Sequence, residues 1–478
     1  MYLKRYVLPV IALLVGGKNG KRFGMKSNIV VNVVKMTNQN KEQIKNPSVL
    51  VWLRNDLRVT DQHSFISATT SGANVFAYYS FDPKHYGNTK WGFPKTEAFR
   101  AQFLIETITE LQQSLEALNI TLIVEQGNPA EGLPKWIEQL NIKTIYFQKE
   151  WTKEEREVEA QLREAIPAEV KFQSHYDQFL FHPDDLPFKI SALPEVFTQF
   201  RKVCEKHSHV RIQQQNCTPL PKENVLQQKF KIPTLKDLGI DKKIAHPNSA
   251  FPFKGGNLEA KQRLNHYFWD SKKLSFYKQT RNGLIGKDYS SKFSAWLANG
   301  SLSPRQIYWE IIAYEKQIIK NQSTYWLIFE LLWRDYFKYI SLKHQDRIFY
   351  LEGILQKKYH WENDIEKVNA WIDGKTQEPF VNANMIELKK TGWMSNRGRQ
   401  NVASYFAKEL LLDWRIGAAY FESMLVDYDV HSNYGNWMYV AGVGNDPRDR
   451  KFNVRLQAER YDEAGKFQRM WNQKTLFE

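Results

Sequence analysis

Cysteine is nearly absent from this sequence, which contains only Cys204 and Cys217 in 478 residues. Two cysteines cannot build the disulfide framework that is typical of small secreted proteins. They also cannot form the thiolate cluster of a structural metal site. We therefore expect a protein of a reducing compartment that binds no metal ion.

Long apolar runs are also scarce. The run over residues 6–15 superficially resembles a signal peptide, but it contains Pro9 and no small-residue cleavage site follows it. No other stretch approaches the ~18 apolar residues that span a membrane. We expect a cytoplasmic protein without membrane contact. Its basic tail, residues 1–47, is either disordered, an organelle-targeting arm, or a segment that precedes the true start at Met25 or Met36.

A glycine-rich phosphate loop is missing where a dinucleotide-binding sheet would need it. Residues 49–53 predict a buried strand, and the turn after it, residues 54–58, contains no glycine. The only glycine-rich patch, residues 16–21, lies in the tail and lacks the Walker spacing. We expect no phosphate cradle at the first strand.

Positive charge, by contrast, is abundant. The formal net charge of +15 suits nucleic acid as a partner. The tail carries +8 of it, because nine Lys or Arg stand against one Glu, and the remaining residues carry +7. Aromatic residues make up 14% of the chain, with 15 Trp, which suits either an aromatic core or a role in stacking and electron transfer.

Strand and helix patterns alternate over residues 48–175. Apolar runs at residues 75–81, 121–125 and 144–147 follow the first strand, with a helical pattern at residues 96–118. This alternation predicts an α/β Rossmann-like domain with a parallel sheet and helices on both faces. Prolines punctuate residues 176–255, which predicts an interdomain linker. Helical periodicity over residues 256–478 predicts an all-α domain.

Four polar and aromatic clusters in the predicted helical domain carry candidate chemistry. Residues 288–294 combine hydroxyls, backbone N–H groups and a lysine at a helix entry, which suits a phosphate. Residues 330–337 place a carboxylate beside an indole and a guanidinium on one helix face. Residues 396–400 direct three polar side chains toward an apolar interior, at a cost of order 1 to 3 kcal/mol each unless a polar ligand pairs with them. Residues 425–439 add two carboxylates at a turn.

Each cluster also has a plainer interpretation. Residues 288–294 suit simple helix capping, with Ser303 and Pro304 starting the next helix. Glu330 and Arg334 suit an exposed i,i+4 ion pair, which is worth only about 0.3 to 0.5 kcal/mol. The polar groups near His431 could suggest a metal site, but cysteine is absent there and no paired-histidine spacing exists.

Six segments in register resemble the FAD domain of photolyases and cryptochromes. They are Tyr277, SSKFS at 290–294, ELLWRDY at 330–336, GWMSNRGRQ at 392–400, LLLDWR at 410–415 and DYDVHSNYGNW at 427–437. Residues 51–58, VWLRNDLR, resemble the same family's antenna domain. YKQTRN at 277–282, DYSSKFS, SNRGRQN and residues 442–448 resemble the DASH subgroup in particular.

The resemblance implies an FAD site and its residues. The predicted pyrophosphate-binding positions are Tyr277, Ser290, Ser291, Lys292, Phe293 and Ser294. The predicted lining of the flavin and adenine is Trp333, Arg334, Asn396, Arg399, Asp427, Asp429 and Asn433. Asn433 matches the position that faces flavin N5, and its neutral amide favours the fully reduced anionic flavin that photolyases use.

The resemblance also implies an electron relay and a substrate pocket. Trp361, Trp414 and Trp437 match a chain of indoles that runs inward to the flavin, although any one of them could be a core anchor. Glu330 matches the carboxylate that hydrogen-bonds a damaged base. Tyr439 and Gln400 stand where duplex-acting photolyases resemble one another in having Trp and Met, which favours lesions in single-stranded DNA. Ser395 and Asn396 replace the histidine pair of (6-4) enzymes, which makes that activity unexpected.

Two functions follow from the resemblance. The first is blue-light-driven repair of cyclobutane pyrimidine dimers in single-stranded DNA by a monomeric enzyme of the deoxyribodipyrimidine photolyase type. The second is a blue-light photoreceptor that signals through flavin photoreduction with little or no repair. Glu150, at a predicted strand end, resembles the residue that holds a 5,10-methenyltetrahydrofolate antenna, although a plain surface Glu is the alternative.

Overall fold

The computed structural model describes residues 47–446 and 448–473. The tail predicted for residues 1–47 therefore lies, apart from Pro47, outside the described residues. The first half of the chain forms one sheet in the order β3-β2-β1-β4-β5, in which all neighbouring strands are parallel. The strands are β1 Ser48–Trp52, β2 Asn74–Phe81, β3 Thr121–Gln126, β4 Ile142–Gln148 and β5 Lys171–His175.

Helices cover both faces of this sheet. Leu50 and Trp52 of β1 pack toward the helices Pro129–Gln139 and Lys153–Ala165, while Val49 and Val51 pack toward His63–Thr69 and Ala98–Glu116. Because side chains alternate between the faces of a strand, burial on both sides requires the unbroken apolar run seen in β1. The predicted parallel α/β layer is confirmed. Its helices are α1 His63–Thr69, α2 Ala98–Glu116, α3 Pro129–Gln139 and α4 Lys153–Ala165.

The apolar pattern predicts four of the five strands and misses β5. This strand pairs only with β4 at the edge of the sheet, and its five residues are exposed or half-buried. An edge strand with little burial has no need of apolar residues, so periodicity gives no signal for it.

The second half of the chain is helical, as predicted. Its largest core gathers aromatic and aliphatic side chains from the helices after residue 256 and from α5, which lies within residues 176–255. Within the described residues, no helix is long and apolar enough to span a membrane. The helices are α5 Phe197–His207, α6 Asn257–Asn265, α7 Tyr277–Thr280, α8 Ser294–Ala298, α9 Pro304–Gln317, α10 Gln322–His344, α11 Ile365–Ile372, α12 Pro379–Thr391, α13 Asn396–Ser404, α14 Trp414–Met424, α15 Val430–Ala441, α16 Val454–Tyr461 and α17 Lys466–Asn472.

A buried ion cluster joins the two halves. Arg305, near the start of α9, lies 2.9 Å from Asp61 and 3.1 Å from Asp177, which precede α1 and follow β5. Arg58 donates to the carbonyl oxygen of Gly300 at 2.9 Å. All four charged side chains are almost fully buried. Each carboxylate and guanidinium therefore has a partner from another part of the chain.

Candidate functional site

A large cavity lies in the helical half, between the loop at residues 289–293, helix α10 and the start of α13. It encloses about 1070 Å³, including the solvent at its mouth. Most of the residues predicted to bind a dinucleotide line this one cavity. They are Tyr277, Ser290, Ser291, Lys292, Phe293, Ser294, Arg334, Asn396, Arg399, Asp427 and Asp429, together with Glu330.

A second cavity continues from the first and shares part of its wall. The two have Asn396, Arg399, Asp427, Asp429 and Ser432 in common, so they lie side by side across a shared wall. The second cavity adds three residues singled out from the sequence, Gln400, Asn433 and Trp437.

Arg263 holds the hydroxyl-rich loop at residues 290–294 in place. This residue of α6 is 3% exposed, lies 2.6 Å from the Asp288 carboxylate and donates to the carbonyl oxygens of Ser290 and Ser291, each at 3.0 Å. A guanidinium group has only hydrogen-bond donors. It therefore binds these two carbonyl oxygens and holds them toward itself. The hydroxyl-rich segment is thereby fixed before any ligand arrives.

Lys292 is the most constrained residue of the cavity wall. Its φ of 66° lies in the left-handed region, which few residues other than glycine adopt. The side chain is 2% exposed, and Nζ lies 3.2 Å from the centre of the Tyr289 ring and 4.7 Å from that of Trp393. Among the described residues Nζ has no hydrogen-bond partner. Burial lowers the pKa of Lys292 well below its ordinary value, although Glu387 opposes the shift.

Helix α10 contributes a row of charged side chains one turn apart. Glu330 pairs with Arg281 at 2.8 Å, and Arg334 donates to the carbonyl oxygens of Gln178 and Leu297. The i,i+4 ion pair between Glu330 and Arg334, which the plainer interpretation required, is thus replaced by contacts with other segments. Burial raises the pKa of Glu330, and Arg281 counteracts this.

Lys338 extends the row and reaches the second carboxylate of the turn at residues 427–429. Its Nζ lies 2.8 Å from Asp429, with both side chains nearly buried. Burial alone would raise the pKa of Asp429, but Lys338, His431 and Arg334 together outweigh it and lower the pKa far below the ordinary value. Asp429 also caps α15 by accepting from the backbone N–H of Ser432. It is held ionised and fixed in position.

A chain of contacts leads from this turn to the α/β half. The ring of His431, two residues after Asp429, stacks on Trp151 at 4.6 Å between ring centres. Ser341 lies 2.7 Å from His431 Nδ1 and accepts from the indole N–H of Trp151 at 2.7 Å. Trp151 directly follows Glu150 in the sequence.

The junction of the two cavities is polar and incompletely paired. Nη2 of Arg399 lies 2.9 Å from both carboxylate oxygens of Asp427, and the Asn433 amide donates to the Ala418 carbonyl oxygen at 2.9 Å. By contrast, Gln400 Oε1 and Trp437 Nε1 have no hydrogen-bond partner within the described part of the chain. A bound ligand with donor and acceptor groups would pair with them.

Trp333 lies beside the cavity rather than in its wall. Its ring stacks on Phe197 at 3.6 Å and contacts Tyr439 edge-on at 6.0 Å. Tyr439 in turn accepts from Arg450 at 2.8 Å. The predicted lesion-pocket tyrosine therefore stands among aromatic rings next to a surface arginine.

The three tryptophans of the predicted relay lie on adjacent segments. The residue after Trp361 donates its backbone N–H to the carbonyl oxygen of Leu411, and Trp414 follows three residues later. One turn beyond Trp414, a Cβ on Gly417 would come within 2.2 Å of the Trp437 indole. Trp361 is half-buried, while Trp414 and Trp437 are buried, so the order runs from the surface to the second cavity.

Glu150 lies far along the chain from this site, at the carboxyl end of β4. The crossover direction of the sheet reverses between β1 and β4, and open α/β sheets place ligands at such a point. Glu150 is 4% exposed and accepts from Gln148 at 2.8 Å. Burial raises the pKa of Asp56 to about 6 and that of Glu155 to about 7, and the charge of Glu150 adds to both shifts.

Several residues of the site carry no clear signal in the sequence. Arg263 and Glu387 stand in helices where nothing distinguishes them from surface charges. Arg281 and Lys338 could have been found, because each lies four residues after a selected position, Tyr277 and Arg334 respectively, and so shares its helix face.

The residues present fit FAD. The loop at residues 290–294 presents hydroxyls and an unpaired buried ammonium, which suit a pyrophosphate. The connected cavity presents unpaired polar atoms beside apolar walls, which suit a flavin ring. A parallel α/β layer joined to a helical domain with such a cavity suits a flavin-binding protein.

The comparisons with known proteins agree. Residues 49–222 match the family model described as DNA photolyase, and residues 326–474 match the one described as FAD binding domain of DNA photolyase. The chain is 48% identical to cryptochrome DASH of Gloeobacter violaceus over 89% of this chain and 85% of that protein. It is 43% identical to a cryptochrome DASH of Oryza sativa named as chloroplastic/mitochondrial, over 88% of this chain and 76% of that protein.

A solved structure is equally similar. The crystal structure of a Synechocystis cryptochrome superposes with a TM-score of 0.86 at 44% identity, covering 89% of this chain and 88% of that one. The chain therefore belongs to the DASH cryptochromes of the photolyase/cryptochrome family, which are blue-light FAD proteins. Membership of this family also implies an interaction with DNA.

Proposed function

We propose that this chain repairs cyclobutane pyrimidine dimers in single-stranded DNA, as a photolyase-type lyase driven by blue light. Bound FAD would absorb the light and supply the electron that splits the cyclobutane ring. The observation that carries the proposal is the position of Glu330, whose carboxylate lies in the wall of the same cavity as the predicted FAD residues. A damaged base that enters the cavity mouth would meet a hydrogen-bonding group beside the cofactor.

Two residues outside the Glu330 cavity support an unpaired rather than a duplex substrate. Gln400 lines the second cavity with a carbonyl oxygen that has no hydrogen-bond partner among the described residues. Tyr439 lines neither cavity, but it contacts Trp333 and offers a smaller ring than tryptophan for stacking. Extrusion of a base from a duplex costs a few kcal/mol, and weak stacking in the pocket repays little of it. Single strands avoid that cost.

We assign the FAD contacts residue by residue. Tyr277 and residues 290–294 hold the pyrophosphate, with Lys292 as its counter-ion. Flavin and adenine contact Arg334, Asn396, Arg399, Asp427, Asp429 and Asn433, and Trp333 supports this wall from outside. The neutral side chain of Asn433, at the position that faces flavin N5, supplies no acidic proton there.

Trp437, Trp414 and Trp361 form the relay that refills the flavin with electrons. Trp437 lines the second cavity, and the adjacency of segments 361–362, 411–417 and 437 supports stepwise transfer inward from the surface. Trp437→Phe should slow flavin photoreduction by at least about tenfold, because an added barrier of ~1.4 kcal/mol already gives that factor. FAD content should remain unchanged. Trp296→Phe, at a buried tryptophan that lines neither cavity, is the matched control.

One experiment separates repair from signalling. The purified protein is illuminated with reductant, and dimer loss is measured in single-stranded and in duplex oligonucleotides. Dimer loss confined to single strands is the expected result. Complete flavin photoreduction without dimer loss in either substrate would contradict the proposal and favour the photoreceptor.

We also propose 5,10-methenyltetrahydrofolate as the antenna, with Glu150 as its contact. Arg54 Nη1 and Gln148 Oε1 have no hydrogen-bond partner in the part of the chain that the structure describes. With the buried carboxylates at this edge of the sheet, they suit a ligand that carries hydrogen-bond donors and acceptors. Glu150→Gln should lower the folate content of the purified protein and leave its FAD content unchanged. Equal folate content in both proteins would contradict the assignment.

The remaining assignments concern organisation and context. We propose an antenna domain at residues 48–175, a linker at 176–255 and an FAD domain at 256–478, preceded by the basic tail at 1–47. We also propose a cytoplasmic monomer. The chloroplastic/mitochondrial name of the Oryza sativa relative makes organelle import by the tail the alternative.

A further inference from the structure

The wall of the main cavity contains the buried amine of Lys292, and the buried carboxyl group of Glu387, which stands outside the cavity lining, acts on it by charge without pairing. Lys292 Nζ and Glu387 Oε2 are both buried, and neither has a hydrogen-bond partner within the residues that the structure describes. The charge of each nevertheless shifts the pKa of the other. A buried ion pair that is not in contact gains little of the attraction that would repay its desolvation.

The neighbouring charged groups do not supply a partner for Lys292 or for Glu387. Besides Glu387 on α12, the charged groups that face Lys292 are Arg263 on α6, Arg399 on α13 and Asp427 before α15. Arg263 is committed to Asp288, and Arg399 to Asp427. Neither arginine is therefore free to pair with Glu387, and Asp427 is not free to pair with Lys292.

We propose that binding of the FAD pyrophosphate is coupled to the uptake of one proton from solvent by the Lys292–Glu387 pair. The inference rests on the proposed placement of the pyrophosphate at residues 290–294. It concerns the charge state of the empty and loaded sites, and it makes the Lys292 amine the group that takes up the proton.

The proton count follows from burial. Burial raises the pKa of Glu387 to about 8, against the influence of Lys292 and Arg399, and lowers that of Lys292. Without FAD the pair holds one proton, because an amine beside a carboxylic acid and an ammonium beside a carboxylate contain the same number. Coupled groups of this kind titrate as a unit. The negative pyrophosphate then stabilises an ammonium beside a carboxylic acid, which holds two protons.

Linkage makes this coupling measurable. When a ligand binds with uptake of one proton, its dissociation constant rises by up to about tenfold for each unit of rising pH. The Kd for FAD should therefore increase as pH rises through neutrality. The pyrophosphate of FAD is already fully ionised there, so the ligand itself contributes no proton.

The experiment uses the full chain, stripped of FAD and titrated with FAD in a calorimeter near neutral pH. Two buffers are compared, phosphate with a small ionisation enthalpy and Tris with a large one. A difference in observed heat that corresponds to about one proton per FAD is the expected result. Equal heats in the two buffers would overturn the proposal.

Variants locate the acceptor. Lys292→Met should abolish the uptake and flatten the pH dependence of Kd, because Glu387 then stays protonated in both states. Glu387→Gln should retain the uptake, because the buried amine still gains its proton only beside the phosphates. Lys287→Met, at an exposed lysine of the same loop, is the control and should behave as wild type.

The possible failures are distinguishable. Loss of uptake in Glu387→Gln together with its retention in Lys292→Met would overturn the role of Lys292. If Lys292→Met does not fold, the wild type and Glu387→Gln still show whether FAD binding is accompanied by proton uptake. Failure of the wild type to bind FAD would contradict the cofactor assignment itself, whereas binding with no uptake would contradict only the proton coupling.

Discussion

Two sets of buried charges in this molecule use similar side chains and differ in how completely they are paired. At the junction of the halves, Arg305 contacts both Asp61 and Asp177 within 3.1 Å. At the main cavity, Lys292 in the wall and Glu387 outside the lining each keep a buried polar atom that has no hydrogen-bond partner among the described residues. The first set is complete in the protein alone, and the second is incomplete.

The difference separates a structural contact from a ligand site. A buried charge without a partner costs several kcal/mol of stability. A protein therefore retains one only where another group or a ligand offsets that cost. In the ion cluster the partner is another segment of the same chain. In the cavity the partner that we propose is the cofactor, and the same reasoning applies to the Gln400 and Trp437 atoms that have no partner within the described residues.

The largest expected effect comes from breaking the complete set. Arg305→Met removes the guanidinium that pairs with Asp61 and Asp177, and the carboxylates keep only neutral donors such as Ser303 and the His63 N–H, with Arg58 nearby. Breaking a buried pair typically costs about 3 to 5 kcal/mol. We expect such a loss in the free energy of unfolding, measured by denaturant titration, whether FAD is present or removed. Lys389→Met, at an exposed pair with Asp373, is the control and should change stability by less than about 1 kcal/mol. Equal stabilities of the two variants would break the comparison.

Lys338→Met tests a pair that is complete but stands in the cavity wall. It deprives Asp429 of its partner at 2.8 Å, and hydrogen bonds to charged groups contribute about 1.5 to 3 kcal/mol. We expect a loss of that size in the free energy of unfolding. Lys338→Met/Asp429→Asn should recover part of it, because no unpaired charge remains. A double variant less stable than the single one would show that pairing is not the cause.

Acid should weaken the complete sets. Burial opposes ionisation of Asp177, but Arg305, Arg58 and the backbone N–H of His63 together lower its pKa. Lys338, with His431 and Arg334, likewise lowers the pKa of Asp429. Carboxylates with lowered pKa give stability that is present above their ordinary pKa of about 3.8 and is lost as pH falls below it. Each extra proton bound on unfolding adds a slope of about 1.4 kcal/mol per pH unit. Unfolding measured from pH ~6 to ~3 should show a shallower acid limb in Arg305→Met than in wild type.

The smallest effect on stability is expected at the cavity mouth. Glu330→Gln removes the ion pair with Arg281, whose side chains are partly exposed, and such pairs contribute about 1 kcal/mol or less. Dimer repair in single strands should nevertheless fall, because Gln cannot offer a charged acceptor to the damaged base. Unchanged repair kinetics would remove Glu330 from the substrate contacts and leave it a structural partner of Arg281.

The sequence predicts the layers of the fold better than the contacts of the site. Strands β1 to β4 are buried and therefore apolar, whereas β5 at the sheet edge carries no such pattern. Ser303 is correctly predicted as the cap of α9, because capping is local and depends on few residues.

Long-range partners are the part that local patterns miss. Spacing alone pairs Glu330 with Arg334, but the structure gives Glu330 to Arg281 and lets Arg334 bind backbone carbonyls. Arg263 supports the hydroxyl-rich loop at residues 290–294 from a helix more than 20 residues earlier in the chain. Such choices depend on which segments meet in three dimensions, and periodicity does not record that.

The stack of Trp151 on His431 fixes more than a contact between the halves. Resonance energy transfer depends on the angle between two transition dipoles as well as on their separation. The ring stack and the hydrogen bonds through Ser341 remove rotation about this link. Chromophores seated on its two sides, near Glu150 and near Asp429, would therefore keep one mutual orientation, and the efficiency of transfer between them would be a property of the fold.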